Sequence, residues 1–294
     1  MDKTLYIIGL IIIQIFGCKQ IENNKEYDLD IRGDWVTNYF EDRWSRKIIT
    51  FSFQDSLCSI ISPYGDFKKY QINGDTLTVT ERERESDTNI NGREESVFLI
   101  KKIDSQNLKL VPLTHSTKSL LRKGFKNKIK LSKVIQKNDI KFDRIAFYST
   151  VCHGTCPSMY LEIDSIGNLL FLGRGYTDKD GAFIGKIDEN ELGVISQKIN
   201  SIQLDNLEKF YSSNWTDDQT CGVKIKAGNN VYESHAYGFN TEPVELRILF
   251  HKLMEIYKEA ELKSDTMVAE KFQLEELIYR GYPPVPPPPP NKKK

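Results

Sequence analysis

The sequence predicts a small antiparallel β barrel or sandwich followed by an α+β domain whose helices cover one face of a sheet. Three observations lead to this fold class. Residues 31–113 contain short apolar segments separated by turn residues, as antiparallel strands do. Residues 140–263 mix strand and helix periodicities. Residues 114–139 lie between them as a basic connector.

The composition limits the classes of function. Of the 294 residues, 41 are Lys or Arg and 41 are Asp or Glu, so the formal net charge is zero and the isoelectric point is near 6.9. This balance lacks the positive field that nucleic-acid binding needs, so we expect no nucleic-acid partner. A mean hydropathy of −0.46 excludes a polytopic membrane protein, while 39% hydrophobic residues suffice for a core.

The amino terminus has the pattern of a secretory signal. Lys3 precedes an apolar run over 5–16, which is too short for a bilayer span of about 20 helical residues. A charged start and a short apolar segment predict a signal peptide over residues 1–17. The alternatives to lipid attachment at the end of this segment are an uncleaved anchor and plain secretion, with Cys18 an incidental apolar residue.

The end of this run, Ile15-Phe16-Gly17-Cys18, resembles the lipobox of bacterial lipoproteins. The resemblance implies that Cys18 becomes the first mature residue, is acylated, and holds the protein to membrane lipid in the cell envelope. Lys19, where an inner-membrane retention signal has Asp, implies the outer membrane, on its periplasmic or its surface face. The polar residues 18–30 predict a tether.

Seven candidate strands make up the β domain over 31–113. They cover residues 35–40, 47–53, 57–61, 67–72, 76–80, 96–101 and 108–111. Asn73-Gly74-Asp75 predicts a hairpin turn, because Asn and Gly tolerate positive φ. Gly33-Asp34-Trp35 resembles the G-x-W start of lipocalin-like domains, which implies a small barrel. The length of the domain, residues 31–113, predicts fewer strands than the eight of a full lipocalin, and no roomy pocket.

Eight basic residues and no acidic residue lie between Thr114 and Asn138. Such a run can contact anionic lipid headgroups, but a solvated connector, partly helical over 119–126, is the favoured interpretation.

The α+β domain over 140–263 is predicted from alternating strands and two amphipathic helices. The strands cover 145–149, 159–163, 169–172 and 182–187, with a later hairpin around Gly228. Asp188 and Glu191 have the spacing of a capping box and predict a helix start. Thr241 is the predicted cap of the closing helix, with Pro243 in its first turn.

The carboxyl terminus has two parts. Residues 264–282 predict a short helix, and residues 283–294 form a tail with seven of the eleven prolines. Polyproline suits a stiff spacer or a ligand for an aromatic groove, although a disordered end without a partner is favoured.

The most distinctive string is Cys152-His153-Gly154-Thr155-Cys156-Pro157. Together with its surroundings over 140–260, it resembles an uncharacterised domain family of bacterial secreted proteins and lipoproteins with a C-x-G-x-C-P signature. That resemblance implies no activity. An exported protein meets oxidising conditions, so the favoured interpretation of Cys152 and Cys156 is a structural disulfide.

Two other interpretations of this pair stay open. The C-x-x-x-C-P spacing also resembles copper-delivery proteins of the Sco type, which implies Cu(I) held by Cys152, Cys156 and either His153 or His235. Thiol-disulfide exchange is the third, although its usual spacer is two residues. Cys58 and Cys221 are predicted to be buried free thiols, or else a disulfide that clamps the two domains.

No complete catalytic constellation is present, because G-x-S-x-G, H-E-x-x-H and glycine-rich phosphate loops are all missing from the sequence. We therefore expect a non-catalytic binding or scaffolding role in the cell envelope, with a protein or glycan partner and no cofactor. The rival hypothesis is a copper-binding or thiol-redox protein acting through Cys152 and Cys156.

Overall fold

The computed structural model describes residues 30–37, 41–42, 45–46, 49–61, 67–80, 95–121, 127–214 and 216–274. The predicted signal peptide, the predicted acylation site Cys18, most of the predicted tether and the proline tail lie outside these ranges. None of the helices within them is long and apolar enough to cross a bilayer. The predicted fold class, β followed by α+β, is confirmed.

Eight antiparallel strands close into a barrel in the order β1-β10-β9-β8-β7-β6-β5-β4. A separate two-stranded ribbon, β2 (Glu41–Asp42) and β3 (Ser45–Arg46), follows β1. The barrel strands are β1 (Gly33–Thr37), β4 (Thr50–Phe53), β5 (Leu57–Ile61), β6 (Phe67–Asn73), β7 (Thr76–Thr80), β8 (Glu95–Ile103), β9 (Asn107–Pro112) and β10 (Ile129–Lys133).

The strands form because apolar residues alternate with polar ones, so that each strand has an apolar inner face. Trp35, Phe51 and Phe98 are almost completely buried in the interior, and Trp35 Nε1 donates a hydrogen bond to the Ile31 carbonyl at 2.7 Å. The predicted turn between β6 and β7 is confirmed, with Gly74 at φ +58°. Side chains therefore fill the barrel.

The eighth strand was not expected, because β10 lies inside the predicted connector. Ile129 and Leu131 point inward and are buried, while Lys130 is exposed, so the high charge of this segment hides a strand alternation. Pairing of β10 with β1 and β9 closes the barrel. Within the described residues the helix of this segment is α1 (His115–Leu120), capped by Thr114, and residues 122–126 of the helix predicted over 119–126 lie outside them.

The second domain is built on an eight-stranded sheet in the order β15-β17-β16-β11-β12-β13-β14-β18. All neighbours are antiparallel except β15 and β17. The strands are β11 (Arg144–Ser149), β12 (Ser158–Asp164), β13 (Asn168–Gly175), β14 (Gly181–Lys186), β15 (Phe210–Ser212), β16 (Thr220–Ala227), β17 (Asn230–Tyr237) and β18 (Lys263–Ser264).

Two helices, α2 (Glu189–Ser201) and α3 (Val244–Glu255), cover one face of this sheet. The capping prediction at Asp188 is confirmed, since its Oδ1 accepts the Glu191 N–H at 2.8 Å. The prediction of a cap at Thr241 is wrong, because α3 begins after Pro243. The Thr241 hydroxyl donates to the Ser212 carbonyl at 3.4 Å instead. Short 3₁₀ turns, Leu204–Asn206 and Ile256–Glu259, follow the two helices.

The opposite face of the sheet is partly covered by the end of the described chain. The predicted helix over 264–282 is reduced to α4 (Val268–Lys271) within the described residues, and the chain is extended from Phe272. The carboxylate of Glu162, which is completely buried, accepts the backbone N–H groups of Gln273 and Leu274, both at 2.9 Å. This carboxylate satisfies the amides that a longer helix would have used internally.

The two domains meet in a polar interface that we call the seam, formed by Asp34, Ser52, Gln54, Glu191, Lys198 and Lys252. The Lys198 ammonium donates to both Asp34 carboxylate oxygens at 2.8 Å and to Ser52 Oγ at 3.2 Å. Three N–H donors thus meet three acceptors.

Lys252 makes the second contact across the seam. Its Nζ contacts the Glu191 carboxylate and donates to Gln54 Oε1 at 3.3 Å. Burial lowers the pKa of Lys252, against the raising effect of Glu191. The linker after β10 is also fixed, because the Lys137 and Asn138 amides both donate to the Asn200 carbonyl.

Candidate functional site

The predicted disulfide is present at one end of the second sheet. Residues 150–157 connect β11 to β12, and Cys152 is bonded to Cys156 with their Cα atoms 5.5 Å apart. Both cysteines are partly exposed, and His153, Gly154 and Thr155 between them are exposed. We call residues 150–157 the cysteine loop. Its tip is available to a partner.

The base of the cysteine loop is fixed from below by a buried glutamine. Gln219 is 1% exposed, and its Nε2 donates to the carbonyls of Thr150 and Pro157 at 3.0 and 2.8 Å. These carbonyls stand at opposite ends of the loop. The Ser149 hydroxyl adds a hydrogen bond to the Pro157 carbonyl at 2.6 Å. The loop is therefore held in one conformation by the disulfide and by the strand ends beneath it.

A neighbouring loop supports the tip. The His153 amide donates to the carbonyl of Asp217 at 2.9 Å, and Asp217 has φ +67°. Phe239, at φ +44°, follows Gly238, whose amide donates to the Gln219 carbonyl at 3.1 Å. Non-glycine residues in this conformation store strain and are concentrated at functional sites. All three such residues in the described ranges lie at this end of the sheet, since the third, Tyr176, follows Gly175, which pairs with Ser158.

His235, a candidate copper ligand, has other partners. Its Nδ1 lies 3.0 Å from the Tyr148 hydroxyl and its Nε2 lies 2.9 Å from Glu233 Oε1. Tyr148 is on β11 and His235 on β17, with β16 between them. Gly222 on β16 faces both, and a Cβ there would lie 2.3 Å from Tyr148 Cε1 and 2.4 Å from His235 Nδ1. The two side chains can meet across a strand because the intervening residue has none.

The charges around Glu233 fix the orientation of this imidazole. Burial opposes ionisation of Glu233, but the His235 hydrogen bond and the nearby ammonium groups of Lys224 and Lys209 outweigh it and lower its pKa. An ionised carboxylate only accepts hydrogen bonds, so His235 Nε2 is the donor. The Tyr148–His235–Glu233 row ties three strands together on the face opposite the helices.

The structure does not assemble the predicted copper ligands into one cluster. Within the described residues, no group of three or more His, Cys, Asp or Glu side chains could hold a metal ion. Cys58 is buried in the barrel core and Cys221 in the core of the second domain, and both are free thiols. Burial raises the pKa of each well above the usual thiol value. Cys18 lies outside the described residues.

Sequence reasoning missed Tyr148, Gln219 and Glu233 as members of this region. Glu233 and His235 are two residues apart on a strand that returns from the predicted Gly228 turn, so their common face could have been predicted. The pairing of Tyr148 with Gly222 depends on the order of β11, β16 and β17, which the sequence pattern does not define.

The comparisons with known proteins concern the second domain alone. Residues 143–257 match the family model of a domain of unknown function, DUF6438. This range contains the cysteine loop, α2 and α3, but no part of the barrel. No curated protein and no solved structure matches the chain. The presence of a domain of unknown function in the second half is therefore confirmed, and it assigns no activity.

Proposed function

We propose that this protein is an exported lipoprotein that binds a protein or glycan partner at the cell envelope, without catalysis, through the cysteine loop. The observation that carries the proposal is an exposed loop tip on a fixed base. A loop already ordered before binding loses little conformational entropy when a partner binds, so its affinity benefits. Exposed loops on rigid scaffolds are also where binding residues are concentrated.

The barrel supports a scaffolding role. Its consecutive antiparallel strand order and the buried Trp35 of Gly33-Asp34-Trp35 favour the lipocalin-like assignment. Side chains such as Phe51 and Phe98 occupy the interior that a ligand-carrying barrel of this size would leave open. In this proposal the barrel is a packed spacer between the membrane anchor and the partner-binding domain.

The membrane anchor is proposed from the lipobox resemblance. Acylation of Cys18 would hold the mature chain to a membrane, which we propose is the outer membrane, because two or more acyl chains give lasting attachment. Labelled palmitate should be incorporated by the wild type and not by Cys18→Ala, and the variant should leave the membrane fraction. Wild-type protein that takes up no palmitate and stays in the cytosol would refute the anchor.

The partner is tested by crosslinking in intact cells. A photo-crosslinker at Thr155 should give a specific adduct that is lost when Cys152 and Cys156 are both replaced by Ser. The matched control is Ile166, which is 65% exposed in the turn at the far end of β12. Equal adducts from both positions, or an adduct that survives the double replacement, would contradict a binding role for the loop.

The rival function is copper binding or thiol exchange through Cys152 and Cys156. One observation favours it, because His153 lies inside the ring that the disulfide closes. Reduced protein would be titrated with Cu(I). Tight stoichiometric uptake that is lost in His153→Ala or His235→Ala would replace the binding proposal with a copper-handling role.

A further inference from the structure

Lysines stand in register on the outer wall of the barrel formed by β8, β9 and β10. Lys102 faces Lys109 on the neighbouring strand, and Lys109 faces Lys130 on the next. Lys109 and Lys130 are each flanked along their strands by buried residues, and Lys102 lies with the exposed Lys101 between two buried isoleucines, so these lysines point outward. We call the following five residues the basic wall: Lys101, Lys102, Lys109, Lys128 and Lys130.

The basic wall has almost no opposing charge. From residue 96 to residue 138 the sequence contains one carboxylate, Asp104. Asp104 pairs with Lys102 at 2.8 Å and also accepts the amides of Gln106 and Asn107 in the β8–β9 turn. Within the described residues, Lys109 and Lys130 take part in no ion pair.

The flanking strand does not compensate either. Leu77 and Val79 of β7 point into the barrel, so Thr76, Thr78 and Thr80 are its outward residues. Like charges directly opposite each other on neighbouring strands are destabilising. The row of lysines therefore works against folding, and an anionic partner would account for it.

The part of the basic wall on β8 lies across the barrel from the seam. The seam uses Asp34 of β1 together with Ser52 of β4, and Ser59 of β5 is also buried on the outer side. In the closed strand order, β8 lies on the opposite side of the barrel from these strands, and β9 and β10 lead from β8 back to β1. A flat partner can therefore approach β8 and β9 from the side of the barrel opposite the seam.

We propose that the basic wall docks the barrel onto the anionic phospholipid headgroups of the membrane that holds the lipid anchor. The inference deepens the proposed function and rests on it for the location of that membrane. Lysine ammonium groups are compact charges suited to a diffuse anionic surface, whereas planar guanidinium groups suit bidentate recognition of one phosphate. The described residues of these three strands and their connections, 95–121 and 127–133, contain no arginine.

The electrostatic attraction of the lysines and the length of the tether are both sufficient for binding to this membrane. Each lysine close to an anionic leaflet contributes about 1 kcal/mol of attraction. The tether of residues 18–30 spans at most about 45 Å when extended, so an acylated Cys18 and the basic wall can engage one bilayer. The barrel then lies against the headgroups, with the seam on the opposite side of the barrel from β8.

The test uses the chain from residue 19 onward, which lacks the signal peptide and the lipid attachment site, so that binding to vesicles reports the protein surface alone. Vesicles of phosphatidylcholine would be compared with vesicles that also contain phosphatidylglycerol. The variant is Lys109→Glu with Lys130→Glu. The control is Lys226→Glu with Lys263→Glu, two exposed lysines of the second domain with the same change in net charge. Circular dichroism would verify that both variants fold.

We expect the wild type and the control to bind the anionic vesicles and the wall variant to bind at least about tenfold more weakly. Salt that shortens the Debye length from about 10 Å to about 3 Å should release the wild type, and this measurement needs no variant. Equal loss in both variants, equal binding to neutral vesicles, insensitivity to salt or no binding would overturn the proposal. Binding to an anionic glycan but not to vesicles would overturn the membrane as the partner and identify the glycan instead.

Failure of this inference can be distinguished from failure of the proposed function. Palmitate incorporation and crosslinking from Thr155 do not depend on Lys109 or Lys130. Both can succeed in a protein whose basic wall binds no lipid, and vesicle binding can succeed in a protein that is never acylated.

Discussion

Two surfaces of the same barrel, the seam and the basic wall, differ in how their charged side chains are paired. At the seam, Lys198 is 3% exposed and its three N–H donors meet two carboxylate oxygens and a hydroxyl. On the basic wall, Lys102, Lys109 and Lys130 stand in register and share one nearby carboxylate. The seam joins two domains within the chain. The basic wall has no such partner in the described residues.

The difference follows from the cost of leaving a charge in each place. A buried ammonium without acceptors costs several kcal/mol, so the seam has to be matched for the domains to pack. An exposed ammonium is solvated, so a row of lysines is tolerated at a small cost from mutual repulsion. Matched charge at the seam is thus required by folding, whereas unmatched charge on the wall needs another explanation, which membrane binding supplies.

Removing one seam charge should give the largest effect. Lys198→Met leaves the Asp34 carboxylate, 10% exposed, without its cationic partner. We expect a loss of about 3–5 kcal/mol in the free energy of unfolding, measured by urea denaturation. Lys198→Met combined with Asp34→Asn should recover part of the loss, because no uncompensated charge remains. A loss below about 1 kcal/mol in the single variant would show that the seam is not needed for stability.

The buried carboxylate of Glu162 tests the cost of an unmatched buried group at a place away from the seam. In Glu162→Gln, one side-chain oxygen that accepts the Gln273 or Leu274 amide becomes a donor. We expect a loss of about 1.5–3 kcal/mol in the free energy of unfolding, the range for hydrogen bonds to a charged group. Hydrogen exchange at residues 273 and 274 should accelerate more than exchange in the barrel. Unchanged protection there would mean that Glu162 does not hold the end of the chain.

The sequence predicted what depends on local pattern and missed what depends on strand order. Seven barrel strands and the Asp188 cap follow from alternation and capping chemistry. The strand β10 was hidden because its outward residues are charged, so its composition resembles a linker. The cysteine loop was located, but its Gln219 support and the Tyr148–His235 contact require knowing that β11 lies beside β16.

The cysteine loop combines a property of the basic wall with one of the seam. Its tip is exposed, but its base is held by a disulfide and by hydrogen bonds within the domain. Replacing Cys152 and Cys156 with Ala should lower the stability by about 2 kcal/mol, the entropy change expected for so short a covalent loop. Because Gln219 still donates to both ends, the loop base should stay ordered. Exchange of the His153 amide should accelerate, while that of Thr220 should not. Acceleration at both positions would show that the disulfide, and not the hydrogen bonds, fixes the base.

The smallest effect is expected on the basic wall. In Lys109→Ala, a lysine between two other lysines is removed without leaving a buried group unpaired. The free energy of unfolding should change by no more than about 0.5 kcal/mol, in the stabilising direction, because repulsion across β8, β9 and β10 falls. Urea denaturation at low and high salt checks the cause, since screening should erase the gain. Lys226→Ala, an exposed lysine on β16, is the control. A loss above about 2 kcal/mol would place Lys109 in a stabilising contact and remove the distinction between the two surfaces.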